Sequence, residues 1–518
     1  MKLPKFATQK RAQIVSVPAP IGGWNVKDPL PEMKALDAVI LDNIFCLPSE
    51  LQVRKGYTQW ATGMTGNAVG MFDYSSTSGA ALLYSLTDAG NIYDVSAGGA
   101  VGAAVVTGLT STNFKHAHFT NTGGTFLYFV NGADSPYIFN GTAWQQVTGV
   151  SAPFAITGVT TSTLVDVIAH KRRLWFVQKN STKCWYLPID SVGGLAAMFD
   201  FGAVFSMGGH VTKIDTWTLD AGYGVDDYFV VFSSTGEVAI YRGTDPASAS
   251  TWALTGVFYI GSPTGTGYTC KYGGDLLIIN KDGIAQMSKS LMSSRVNTRL
   301  TLTEKIQPQL ANDTTTYASL NGWNILLHAP LNMLIVNVPL SSTVSYQYVM
   351  NTISGAWSRW TGINGQCWYS ANELLYFGLG TKIYRAWDTQ SDNGSIVTAT
   401  ILPAYSKFGN ESTLKRWNMT RVTFAADTTA SVATQVLADF NKSPEVLTNP
   451  AVTASASSLW GTAVWDTNTW GGSLVIDSKW RSVSGMGYWG SCQINIQTLS
   501  ADVRVYSIDY SIEAGGVL

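Results

Sequence analysis

Apolar residues along this chain come in short runs broken by Gly, Asn, Asp and Ser, and rarely at the spacing of an amphipathic helix. The runs are rich in Val, Ile, Thr and aromatics, so almost everything reads as strand. Helical patterning is confined to two stretches, Leu36–Asn43 and Thr303–Leu310. One motif recurs: an apolar strand, a tight polar turn, and a second strand carrying Tyr or Trp. It appears as Leu82-Leu83-Tyr84 turning at Asp88-Ala89-Gly90 into Asn91-Ile92-Tyr93, and again as Phe126–Val130 before Tyr137-Ile138-Phe139. Leu174–Val177 precedes Cys184-Trp185-Tyr186 in the same way, and Tyr228–Phe232 precedes Glu237–Tyr241. The remaining copies are Leu276–Ile279 with Asp282-Gly283, Met333–Val338 before Tyr346–Met350, and Leu374–Phe377 before Ile383–Trp387.

The copies start at residues 82, 126, 174, 228, 276, 333 and 374. That spacing suits a four-stranded antiparallel unit repeated radially, a β-propeller blade. A single blade cannot bury both of its faces, so neighbours must pack and the ring must close. Seven blades is the count, with six the near alternative because the units at 333 and 374 could share a blade. The other reading of the same pattern is a string of unrelated β-sandwiches. After Asp392 the strands lengthen, as in Met419–Ala425 and Asp502–Ile512, and a cluster of Trp460, Trp465, Trp470, Trp480 and Trp489 appears. The expected fold is therefore all-β: an N-terminal arm and lead-in strand over residues 1–60, a β-propeller over 61–392, and a Trp-rich β-sandwich-like domain over 393–518. The Trp cluster is either core or an exposed contact surface. Residues 1–21 hold Lys2, Lys5, Lys10 and Arg11 and no acid, which gives an extended arm, either solvated or docked on a partner.

Composition narrows the function. The 518 residues exceed what one core organises. With 46% hydrophobic residues and a net charge of −1 the chain is not of the disordered class. The same near-zero charge leaves no basic field for a sequence-reading nucleic-acid binder. Charged residues are only 13%, about half the usual share, so neutral polar residues cover the surface and much of it is buried in an assembly. No apolar run is long enough to span a membrane, and Pro18 and Pro20 break Ile14–Ile21, so no signal-peptide core is expected. Cys46, Cys184, Cys270, Cys367 and Cys492 are scattered without a C-x-x-C, which fits reduced thiols rather than zinc or disulfides.

The search for chemistry is sparse. His116 and His118 stand two apart on an expected strand and share a face, but no third ligand is near in sequence, so a satisfied pair is the simpler reading than a metal site. Asp220, Asp226, Asp227, Asp245 and Asp282 are the carboxylates open to glycosidase-type pairing, and each also suits a turn. The Trp-Asp pairs at 387–388 and 465–466 lack the Gly-His partner of WD repeats. Gly485-Met486-Gly487-Tyr488-Trp489-Gly490 spells a dinucleotide fingerprint but is followed by a strand, so it reads as a turn. There is no nucleophile elbow and no P-loop. No catalytic, metal or cofactor residue is assigned, binding residues are left open, and a non-enzyme is expected.

Three N-terminal stretches carry a resemblance: Gly22-Gly23-Trp24-Asn25-Val26-Lys27-Asp28-Pro29-Leu30, then Leu41-Asp42-Asn43, then Arg54-Lys55-Gly56-Tyr57. Together with Arg173–Phe176, Trp217–Gly222, Gly236–Tyr241, Gln347–Thr352 and Ala356-Trp357, they resemble the tail nozzle, or tail tubular, proteins of short-tailed, podovirus-like bacteriophages. The resemblance runs to about residue 420, less securely into the Trp-rich end, and its motifs are structural rather than catalytic. It implies a structural virion protein with a β-propeller in each subunit, assembled in the host cytoplasm and located in the virion tail. The subunits would form a homohexamer below an adaptor ring protein and attached to tail fibres or tailspikes, closing and then conducting genomic DNA without sequence-specific binding. A near-neutral chain suits a tunnel that must not retain DNA. The rival expectation is a propeller tail protein that binds or hydrolyses glycans.

Overall fold

In a computed structural model the chain is described over residues 12–517, except 78, 80, 221–224, 266, 291–300, 410, 429, 442–446, 448 and 450–473. Seven antiparallel sectors surround one axis, and the recurring pair read from the sequence supplies the second and third strands of each. The first sector is Ala68–Ser75, Ala81–Thr87 and Ile92–Asp94; the second is Lys115–Asn121, Gly124–Val130, Tyr137–Phe139 and Trp144–Gln146. The third begins at Leu164–His170 and the fourth at Val211–Asp220, each with four strands in chain order. The fifth has Thr269–Tyr272, Asp275–Asn280 and Gly283–Gln286. The sixth runs Asn324–His328, Met333–Pro339, Ser345–Asn351 and Trp357–Trp360, and the last Cys367–Ala371, Leu374–Leu379 and Lys382–Ala386. Six of these are blade sheets in their own right. The sixth sector differs, because its sheet continues past Trp357–Trp360 into the C-terminal half of the molecule. The units at 333 and 374 accordingly lie in separate sheets.

Middle strands dominate the sequence signal because both of their faces are covered by neighbouring blades. Leu127 to Val130, Leu174 to Val177, Phe229 to Phe232 and Leu276 to Ile279 are all fully buried. Closure uses the N-terminal side of the chain: Tyr57–Thr62 pairs antiparallel with Lys382–Ala386 and completes the last blade. Joining the two chain ends of the ring in one sheet removes the edges an open propeller would leave.

Residues 12–56 do not form a separate arm. Gln13–Pro18 pairs with the long C-terminal strand Val503–Val517, and Leu51–Val53 pairs with the same strand further along. Asp37–Asp42 pairs antiparallel with Val397–Pro403. They and the C-terminal strands make two packed sheets, with Trp417, Val422, Phe424, Ile508 and Tyr510 of one facing Ala399, Ile401, Cys492, Ile494 and Ile496 of the other. This is the expected sandwich-like layer, built from both ends of the chain. The arm residues Lys2, Lys5, Lys10 and Arg11, and Trp460, Trp465 and Trp470, lie outside the described residues; Trp480 and Trp489 begin and follow the strand Trp480–Gly487.

The two helical expectations divide. Gln307–Thr316 is a helix, with Pro308 in its first turn. Leu36–Asn43 is not: Asp37–Asp42 is a strand. Ala38, Val39 and Leu41 are a continuous apolar run with no exposed stripe, as expected of a strand covered on both faces at the seam between propeller and sandwich.

Candidate functional site

The inner strands of a propeller face each other across the axis, so any residue there that is not small must share a confined space. Here that space is a cavity of about 540 Å³ lined from all seven sectors. Its charged members come from inner strands that the recurring motif did not include. Lys115 begins the second inner strand, Asp166 lies in the third, Lys213 and Asp215 lie in the fourth, and Lys271 in the fifth. Alternation places them toward the axis between apolar neighbours such as Val167 and Ile214.

The carboxylates here are committed to the protein. Val167 N–H donates to Asp166 Oδ1 at 3.0 Å and Ile214 N–H to Asp166 Oδ2 at 2.9 Å, which ties the third blade to the fourth. Burial still dominates and pushes Asp166 up to about 6, against the pull of Lys213 and Lys115. Thr269 Oγ1–H donates to Asp215 Oδ2 at 2.7 Å and Thr216 N–H to Asp215 Oδ1 at 2.9 Å. Lys213 Nζ stands 3.4 Å from Asp215, donates to Thr269 Oγ1, and lies 5.5 Å from the centre of the Tyr268 ring. Burial first, and the Lys213 charge second, bring Lys115 down to about 8.

His116 and His118 do share this inner strand. His116 is ringed by Phe72, Phe114, His118 and Tyr369, with centroids 5.6 to 6.2 Å away, and burial brings it down to about 4. His118 Nε2 is 3.8 Å from Asp73 Oδ1, which also accepts the Tyr369 hydroxyl at 2.6 Å. Among the described residues no group of three His, Cys, Asp or Glu is placed to hold a metal ion.

Among the candidates whose side chains are described, Asp227, Asp245 and Asp282 are not brought together. Asp227 accepts from Thr218 Oγ1 at 2.8 Å with Lys171 at 3.6 Å, and Asp245 caps its own turn with Arg173 at 3.3 Å. Asp282 sits in the turn before Gly283–Gln286, while Asp220 and Asp226 are strand positions whose side chains lie outside the described residues. Among the described side chains, those of Asp227, Asp245 and Asp282 do not line the axial cavity. Gly485 to Gly490 crosses from Trp480–Gly487 in one sandwich sheet to Gly490–Thr498 in the other. Asp388 accepts from Arg385 at 2.5 Å and from Thr58, holding the closing strand, while Trp387 stacks on Trp360 at 5.6 Å; Trp465-Asp466 lies outside the described residues.

A second constellation lies where propeller meets sandwich, and the three N-terminal motifs build it. Arg54 is 1% exposed and all five of its N–H groups are used. They reach Asn43 Oδ1 at 2.8 Å, Lys55 O at 3.2 Å, Thr361 O at 3.1 Å and both oxygens of Asp392 at 2.7 Å. Asn43 adopts a left-handed φ of 58° and donates to Thr398 O at 2.8 Å and Thr361 Oγ1 at 3.1 Å. Asp42 holds Arg359 through two bonds of 2.8 and 2.7 Å, at the single register point where the sixth sector meets Asp37–Asp42. Asn25 donates to Asp28 at 2.9 Å and Asp37 at 2.8 Å, and Lys305 reaches Asp37 at 2.8 Å. Gly56 is needed for contact: a Cβ there would lie 1.9 Å from Ser391 O.

The missed residues had a signal. Lys115, Asp166, Lys213 and Asp215 are charged residues in strands of mixed pattern, each shortly before a recurring pair. Their partners lie in other blades, so spacing along the chain did not link them.

No protein-family model matches this chain, and no curated protein sequence matches it. Among solved structures it is similar to YCF48 bound to D1 peptide, at 12% identity and a TM-score of 0.37, over 64% of this chain and 97% of that one. It is also similar to the Cps50 (Swd1) β-propeller domain of Myceliophteria thermophila, at 13% identity and a TM-score of 0.38, over 63% and 99% of the two chains. BBS1N in complex with ARL6DN matches at 11% identity and a TM-score of 0.38, over 65% and 99%. Similarity at this level concerns the fold alone. The molecule is an all-β protein of the propeller class, carrying an additional sandwich-like pair of sheets.

Proposed function

We propose that this chain is a structural virion protein, the subunit of a homohexameric tail nozzle of a short-tailed bacteriophage. In that role it closes and then conducts the genome, seated against an adaptor ring and bearing tail fibres or tailspikes. The observation that carries the reading is the convergence of its family-like motifs. Asn25, Asp42, Asn43 and Arg54, from the three motifs, hold the segment Asp37–Asn43 in place where propeller meets sandwich, with Arg54 itself buried. Motifs spent on a rigid joint suit a part that bears mechanical load.

The propeller's own axis is not the conduit. Its cavity of about 540 Å³ is of small-molecule size, and lysines, histidines and Trp rings line it. Duplex DNA, with a major groove about 12 Å wide, needs a passage formed between subunits instead. The alternative is a propeller tail protein that binds or hydrolyses glycans, which the polysaccharide assay below addresses.

Native mass spectrometry followed by electron microscopy tests this directly, with and without the adaptor protein. A six-fold ring with a hole wide enough for duplex DNA is the expected result. A monomer or trimer without an axial passage, even with the adaptor supplied, overturns it and directs the next assay to polysaccharide hydrolysis.

A further inference from the structure

The seven-stranded sandwich sheet buries one face and leaves the other open. Trp417, Thr420, Val422 and Phe424 of Thr413–Ala426 point inward, so Arg416, Met419, Arg421 and Ala425 point outward. Direct cross-strand partners project to the same side. Ile14, Ser511, Met419 and Ser482 therefore form one outward row across Gln13–Pro18, Val503–Val517, Thr413–Ala426 and Trp480–Gly487. Met486 opposite Arg416, Trp480 opposite Arg421 and Ile476 opposite Ala425 belong to the same face. Ile14 is 61% exposed, Met486 63%, Ile476 65% and Met419 38%.

The charges on this face are matched within it. Arg421 bonds Asp509 at 2.7 Å and lies 4.9 Å from the centre of the Trp480 ring. Arg504 holds Glu50 at 2.8 Å and Asp502 at 3.1 Å, and Arg416 stands directly opposite Glu513. Methionine, tryptophan and paired arginine are the make-up of a protein interface, and exposed apolar side chains grouped on one face mark a contact site where scattered ones do not. At about 3.3 Å per residue and about 4.8 Å between strands, the four strands present about 700 Å². A stable interface takes about 800 Å² from each partner.

We propose that this outer face packs against a second copy of the chain and forms one side of the contact between neighbouring subunits. The inference rests on the assembly reading above and locates its interface. A surface whose charges cancel among themselves fits an equally neutral partner, and the chain itself has a net charge of −1 with 13% charged residues. Contact removes from water the Ile14, Met419, Ile476 and Met486 side chains, which one copy leaves exposed. In a closed ring such a contact is heterologous, so this face meets a different patch on its neighbour.

The test uses the full chain, with rings compared against dilute monomers by native mass spectrometry and by oxidation footprinting of methionine. Met419 and Met486 should oxidise about fivefold or more slowly in the ring than in the monomer, because susceptibility follows exposure. Ile476→Asp combined with Met486→Asp should raise the concentration at which half of the rings dissociate about tenfold or more, since each carboxylate loses its water in the contact. Both positions are exposed in one copy, so the urea midpoint of the variant monomer should stay unchanged. Rings that form with both methionines still reactive, or that survive the double substitution, overturn this proposal and leave the assembly reading standing. Protection that appears only when the adaptor protein is added, or that is already complete in the monomer, also overturns it, because the cover is then the adaptor or the chain's own residues. If no ring forms under any condition, the assembly reading fails and this proposal with it. The footprint on the unaltered chain decides the matter even if the double variant fails to fold.

Discussion

Removing one partner from the Arg54–Asp392 pair tests the claim that propeller and sandwich are locked by a buried ionic joint. Asp392→Asn keeps the shape of the side chain and removes its charge. Arg54, 1% exposed, then stays buried with five N–H groups but without the two charged acceptors at 2.7 Å. Breaking a buried pair from one side costs about 3–5 kcal/mol, mostly because the remaining charge is uncompensated. Arg54→Lys keeps the charge but cannot reproduce the planar fork that serves Asn43, Thr361 and Asp392 together, and should cost about 1.5–3 kcal/mol. Replacing both partners, Arg54→Met with Asp392→Leu, removes the desolvation problem and should recover much of the loss. Urea unfolding followed by tryptophan fluorescence and by circular dichroism measures the stabilities, and hydrogen exchange at Asn43 and Thr361 locates the change. If Asp392→Asn and Arg54→Lys each lie within about 0.5 kcal/mol of the original chain, the joint is not the lock described here.

Two further outcomes are expected. Gly56→Ala places a Cβ 1.9 Å from the Ser391 carbonyl oxygen, so it must push the closing strand Tyr57–Thr62 from its neighbour; a loss of about 1–3 kcal/mol in urea unfolding is expected, and a neutral result would refute the close approach. Burial brings His116 down to about 4, below its unfolded value near 6.5, so its contribution to stability is present above pH 6.5 and is lost as pH falls toward 4. His116→Phe keeps the aromatic packing with Phe72 and Phe114 and should flatten that acid loss in stability measured between pH 7 and 4; an unchanged slope would show that His116 does not contribute to it.

Sequence alone determined the class of element and the radial repeat. Runs such as Phe126–Val130 and Leu276–Ile279 are apolar throughout because neighbouring blades cover both faces of the middle strands, and that burial is written into every copy. The longer alternating strands after Asp392 are legible for a related reason, since each contributes one face to a sandwich.

Tertiary structure decided the rest. The inner strands carry a mixed pattern, Lys115-His116-Ala117-His118 for instance, because they face a confined polar axis, so they lack a period of their own. Leu36–Asn43 is too short for its apolar run to separate a buried strand from a helix; the pairing of Asp37–Asp42 with Val397–Pro403 settles it. The joint was visible only as three motifs. Arg54 and Asp392 are 338 residues apart, and Asp42 and Arg359 317 apart, so their attraction acts only after the ring has closed. The same holds for Lys115, Asp166 and Lys213, which local spacing cannot bring together. What depends on neighbours within a strand can be read along the chain; what depends on charges meeting across an axis or a seam exists only in the fold.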